Sequence, residues 1–278
     1  MAENDNQQSQ NMSFWGHLDV LRGTLFRIII TLLICAAALF AFMPTIFDQF
    51  IMGPARGSFV IYQLFNKIAS STGFSDLSSN NLDIELVNIK LASQFFLHIT
   101  TSLWMAAVIA FPVILWQLWG FVSPALYAHE KRGITRAFFF GCGMFYIGVA
   151  VGYFLVFPLT LQFLANYQLS SLVPNVISLD SYMDNFLMIC LMMGILFELP
   201  LVAWLMGKTT LLNRQFFRKY RRHAIVALLS LAAIVTPTGD PITLSVVFFP
   251  IYALWELSAF LVPKAANQNE ETDESNQT

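Results

Sequence analysis

The stretch MGILFELPLVAWLM, Met193 to Met206, is apolar except for one carboxylate, Glu198. Widened to Phe186–Met206 it has 21 residues, and Glu198 is still the only charged one. At ~1.5 Å per residue, a helix of that length matches a hydrocarbon core of ~30 Å. This decides the class of fold, because it makes the segment a membrane span with an acid close to the midplane. A charge at that depth is unfavourable by roughly 2.5–3.5 kcal/mol on insertion scales, so Glu198 needs a reason to be there. One reading is a buried structural acid, protonated or hydrogen-bonded to a neighbouring helix. The other is a polar group that meets a partner or water.

The rest of the chain agrees with a polytopic membrane protein. Of its 278 residues 56% are hydrophobic and 12% charged, against about 25% charged in a soluble domain. Mean hydropathy is +0.62. A net charge of −2 without a long basic tract gives no support to nucleic acid as a partner. Cys35, Cys142 and Cys190 all fall in apolar segments without CxxC or CxxH spacing, which reads as small core residues and not as disulfides or metal ligands. No cleavable signal peptide is evident at the polar N-terminus.

Six spans are expected: Ile28–Ile46, Phe95–Val122 with Pro112 inside, Ala137–Phe157, Phe186–Met206, a short fifth over Ala224–Val235, and Ile242–Val262. With the N-terminus inside, twelve Lys or Arg fall in cytoplasmic segments. Only Arg56, Lys67 and Lys90 fall outside. The positive-inside rule then puts both termini in the cytoplasm. The fifth span covers only ~18 Å as a helix, so it is either re-entrant or a crossing that thins the bilayer. The turn Thr236–Pro241 after it has no Lys or Arg, which favours crossing. Loop one runs from Phe47 to Gln94, with a Ser/Asn-rich centre, and the third loop from Pro158 to Asn185. Residues 1–13 are read as a disordered N-terminus, 14–263 as the transmembrane domain, and 264–278 as an acidic disordered tail.

Several short motifs stand in a fixed order. HLDVLR (His17–Arg22) precedes span one. FVSPALYAHEKR (Phe121–Arg132) fills the first cytoplasmic loop. FYIG (Phe145–Gly148) continues through Tyr153-Phe154 to Phe157-Pro158. FELP covers Phe197–Pro200, followed by Thr236-Pro237 with Asp240, and by Pro250 through Glu256. Together they resemble the TatC family, the multi-span receptor subunit of the twin-arginine protein translocase, over about residues 14–263. The resemblance implies an all-α membrane protein of six transmembrane helices, both termini cytoplasmic, with two short C-terminal spans and a concave bundle, in the cytoplasmic (inner) membrane. It also implies binding of the twin-arginine signal peptides of folded cargo. Partners would be single-span subunits of the TatA/TatB kind in an oligomeric complex. Transport would be driven by the proton-motive force, with no cofactor and no enzymatic activity. One motif departs from the family's HLxELR: the acid, Asp19, stands one place earlier, and Val20 occupies the Glu position.

The candidate residues follow. Glu130 lies in a basic loop and is the natural receptor for an arginine pair, because a guanidinium binds a carboxylate through two charge-assisted hydrogen bonds. Its ordinary reading is a loop acid balancing Lys131, Arg132 and Arg136. By the resemblance Phe121, Asp19 and Arg22 join Glu130 in signal-peptide binding. An intrahelical Asp19–Arg22 pair is the simpler alternative. The resemblance also implies a second group, Glu198, Tyr153 and Glu256, polar positions meeting a partner's helix. Gly148 and Gly152 form a GxxxG suited to close helix packing. Asp240 is placed to cap the last span. The rival functions are a proton-coupled secondary transporter with Glu198 as relay, which lacks an internal repeat, and an intramembrane enzyme, which lacks a catalytic motif within the spans.

Overall fold

The structure is a computed structural model that describes residues 14–64, 67, 84–122, 134–170, 172, 175–208, 214–236 and 240–262. The predicted N-terminal arm, the Ser/Asn-rich centre of loop one and the acidic tail lie outside them. Nine α-helices are described: α1 (Phe14–Ile46), α2 (Ser93–Val122), α3 (Ile134–Val151), α4 (Phe157–Asn166), α5 (Leu179–Leu196), α6 (Leu199–Lys208), α7 (Arg214–Lys219), α8 (Arg221–Val235) and α9 (Pro241–Leu261). Two-residue strands, β1 (Leu86–Val87) and β2 (Ile177–Ser178), are the only extended elements among the described residues.

Five helical segments among the described residues are long and apolar enough to cross a membrane. They lie within Asp19–Leu64, Ser93–Gly120, Ala137–Asn166, Leu179–Gly207 and Pro241–Leu261. The chain is therefore an all-helical, multi-pass membrane protein. The segment expected as a short fifth span falls on α8, whose 15 residues reach ~22 Å as a helix and which is not among these five.

The chain divides into two compact units. The first comprises residues up to Gly53, Leu86–Gly143 and Ser178–Met183. Its frame is α1 packed along α2. The sequence suggested a span starting at Ile28, with the HLDVLR motif standing before it. Instead α1 is one 33-residue helix from Phe14. No proline or turn signal separates the two parts, so nothing ends the hydrogen-bond ladder between them. His98 on α2 stacks on Phe40 of α1 at 3.9 Å, with its Nε2 2.9 Å from the Phe40 carbonyl. After α1 a wide turn, Phe47–Ile51, is fastened by Tyr182, whose hydroxyl donates to the Ile51 carbonyl at 2.6 Å. Asp180 gathers the Ser93 hydroxyl and, at 3.5 Å, the Lys90 ammonium.

The second unit comprises Pro54–Glu85, Met144–Ile177 and the chain from Asp184 onward. Here the expected third span, ending at Phe157, proves too short. The helix continues through a five-residue wide turn, Gly152–Val156, into α4, which ends at Asn166. Phe157 N–H reaches back five residues to the Gly152 carbonyl, immediately before Pro158, which has no N–H to give. The wide turn lets the helix pass the proline, so most of the expected third loop is helical at both ends. The aromatic core here joins Tyr153 to Phe59 and Phe186, with ring centroids 5.4 and 6.0 Å apart, and Phe157 to Phe186 at 5.1 Å. Phe59 comes from loop one. Nearby the Tyr62 hydroxyl donates to the Pro54 and Pro158 carbonyls, tying that loop to the start of α4.

Candidate functional site

The expected fourth span, Phe186–Met206, is not one helix. It breaks at Phe197–Glu198 between α5 and α6. Pro200 is the cause: it cannot donate to the Leu196 carbonyl, and its ring crowds that carbonyl. Around the break Phe197 N–H donates to Met193 O and Glu198 N–H to Ile195 O, both at 3.0 Å, the second three residues back instead of four. Val202 N–H then bonds the Glu198 carbonyl at 3.0 Å and starts α6. The acid therefore stands at the discontinuity of its span. Both carboxylate oxygens are buried, and no donor among the described residues reaches either of them.

A glycine-lined contact holds the break in place. A Cβ on Gly148 would lie 2.6 Å from the Met193 carbonyl and 2.7 Å from the Phe197 Cβ. One on Gly152 would lie 3.0 Å from the Cys190 Cα, and one on Gly194 2.8 Å from the rings and methyls of Phe145 and Val149. The expected GxxxG does pack closely, with Gly194 on the facing helix making the approach mutual. Gly148 touches the residue before Glu198, so α3 supports the break directly.

The other candidates are spread out. Tyr153 is buried, 5% exposed, inside the wide turn and against Phe59, Phe154 and Phe186 of its own chain. Glu256 is ion-paired: Arg221 Nη2 donates at 2.5 Å to one carboxylate oxygen, and Tyr252 Oη donates at 3.0 Å to the other. Asp240 caps α9 as expected, accepting from Thr243 N–H at 2.7 Å. Asp19 and Arg22 are both exposed on α1 and form no ion pair with each other; Arg22 instead lies over the Phe26 ring at 5.7 Å. Phe121 falls on the last turn of α2. Glu130 lies outside the described residues. No group of three or more potential metal ligands occurs among the described residues.

Two features had no counterpart in the sequence reading: the wide turn at Gly152–Val156 and the docking of Phe59 onto it. Pro158 and Pro200 were the available signals, each marking a point where the ladder must be interrupted.

The comparisons with known proteins agree with the motifs. The family model "Sec-independent protein translocase protein (TatC)" matches residues 16–250. A Sec-independent protein translocase protein TatC of Blattabacterium sp. subsp. Periplaneta americana is 32% identical over 91% of this chain and 96% of its own. Its counterpart in Deinococcus radiodurans is 34% identical over 72% of this chain and 73% of its own. Two crystal structures of the twin-arginine translocase receptor TatC are similar at 30% identity. One has a TM-score of 0.69 over 88% of this chain, and the other, in DDM, 0.71 over 89%. On this agreement of family model, relatives and fold, the chain belongs to the TatC family of Sec-independent protein translocase proteins.

Proposed function

We propose that this chain is the receptor subunit of a twin-arginine translocase. It binds the twin-arginine signal peptides of folded cargo at the cytoplasmic side and supports their transport, driven by the proton-motive force. It sits in the cytoplasmic (inner) membrane with six crossings and both termini inside, the Lys and Arg distribution being the support for that orientation. Its partners are single-span subunits of the TatA/TatB kind, in an oligomeric complex, and it is not an enzyme. The observation that carries the reading is likeness over nearly the whole chain to structures of the twin-arginine translocase receptor. The rival reading, a proton-coupled secondary transporter with Glu198 as relay, is displaced by the family membership.

In this reading Glu130 meets the signal's arginines, with Phe121, Asp19 and Arg22 forming the rest of the receptor surface. Glu198 faces a partner's transmembrane helix, supported by its two buried oxygens without a donor among the described residues. Tyr153 and Glu256 belong to the same intramembrane group, with Tyr153 shaping the helix and Glu256 holding α8 to α9. A bidentate Arg–carboxylate pair in a partly desolvated pocket is worth ~1.5–3 kcal/mol, about 10- to 150-fold in affinity. The test is a double-mutant cycle: Arg-Arg and Lys-Lys signals, each crosslinked to wild type and to Glu130→Ala. The Arg-Arg signal should lose much more than the Lys-Lys signal. Equal losses remove Glu130 from the site.

A further inference from the structure

Between Glu198 and Asp240 the chain has no acid and six Lys or Arg, five of them within residues 214–222. These five lie on α7 and the first turn of α8. α7 is fixed by a single buried side chain, Phe217, 3% exposed, which packs with Ala203, Ala259 and Val262 and meets the Trp255 ring at 4.7 Å. Arg214 lies over Phe260 at 5.1 Å, and Arg221 is taken by Glu256. Arg218, Lys219 and Arg222 remain exposed, with no carboxylate within ion-pair distance among the described residues. Beside them Phe216 and Tyr220 are partly exposed and in mutual ring contact at 4.6 Å.

Orientation by the positive-inside rule asks only that cations lie on this side. It does not ask that three of them be carried on a turn pinned to α9, next to an aromatic pair. That combination suits an interfacial headgroup: cations for its phosphate, and rings at the level where chain meets headgroup. We propose that the α7–α8 turn is a binding site for an anionic phospholipid, with Arg218, Lys219 and Arg222 receiving the phosphate and Phe216 and Tyr220 beside the glycerol. The site is separate from the residues assigned to signal peptides, so it stands or falls independently of them.

The test uses the purified full-length protein in uncharged detergent, with phosphatidylglycerol and phosphatidylcholine of identical acyl chains as probes. Bound lipid is counted by native mass spectrometry. Wild type should retain phosphatidylglycerol preferentially. The triple variant Arg218→Gln, Lys219→Gln, Arg222→Gln should bind it at least ~10-fold more weakly, since each surface cation contributes to attraction of anionic lipid. The conservative pair Arg218→Lys, Arg222→Lys should keep the affinity. A matched removal of three cations elsewhere, Lys131→Gln, Arg132→Gln, Arg136→Gln, should leave it within about twofold of wild type, because those residues lie outside the turn. Should the triple variant melt early without lipid, Arg218→Glu alone, a single change at an exposed position, gives the same readout. Unchanged lipid affinity in these variants overturns the proposal. So does an equal loss on the matched control, which would mean general surface charge, or displacement by millimolar inorganic phosphate, which would mean a simple anion site.

Discussion

Glu198 combines burial with unmet hydrogen-bonding capacity, and the two together define what its substitution does. Both oxygens are shielded and no donor among the described residues reaches them. An unsatisfied buried polar group costs ~1–3 kcal/mol. Glu198→Met, apolar and of similar length, should therefore stabilise the isolated chain by about that amount, read as a higher melting temperature in detergent. The same variant should lower cargo transport and crosslinking to a partner subunit. Glu198→Gln keeps a hydrogen-bonding group without the charge, so it separates the two needs: near-normal transport means a hydrogen bond suffices, and loss equal to Met means the charge is required. If Met neither stabilises the chain nor impairs transport, the partner-facing role fails. At the start of α9, Asp240 performs a local task. Asp240→Ala removes the acceptor for Thr243 N–H and should cost ~1 kcal/mol, whereas Asp240→Asn retains a good cap and should cost a few tenths. Thermal melts of the two variants check the order.

At the scale of elements, a proline and a glycine act on the same place from different helices. Pro200 withholds a backbone donor and ends α5; Gly148 on α3 leaves room for Met193 and Phe197 to approach. Gly148→Ala puts a methyl 2.6 Å from a carbonyl oxygen, so a helix must shift; overpacking of this kind costs ~1–3 kcal/mol. Gly143 lies on the same helix with open space where a Cβ would go. Gly143→Ala should be neutral or stabilising by up to ~1 kcal/mol through helix propensity alone. The pair distinguishes packing from propensity, since a propensity effect alone would move both variants in the same direction. Two glycines with the same backbone preference read alike in sequence, and only the neighbouring helix makes one irreplaceable. Likewise the wide turn at Gly152–Val156 follows from Pro158, but its place in the core follows from Phe59, which arrives from a distant loop.

For the whole molecule the prediction concerns topology. In a variant with Cys35, Cys142 and Cys190 replaced, single cysteines at the exposed positions Ser58 and Ser170 should react with an impermeant thiol reagent added outside intact cells. A cysteine at Gln215 on α7, also exposed, should react only after the membrane is opened. Labelling at Gln215 from outside would reverse the assigned orientation. The class of fold, the approximate spans and the family were legible in the sequence, because they depend on quantities that add along the chain. Apolar length sets whether a segment can cross, Lys and Arg imbalance suggests which way, and short motifs in order identify the family. The cap at Asp240 was legible too, being a contact over three residues. What the tertiary structure decided depends on residues far apart in the chain. It joined Arg221 to Glu256, and it packed α3 against the break that Pro200 makes in the span containing Glu198. It also left that acid with no donor among the described residues, a property that belongs to no single segment: a carboxylate is satisfied or orphaned only by what the other helices bring to it.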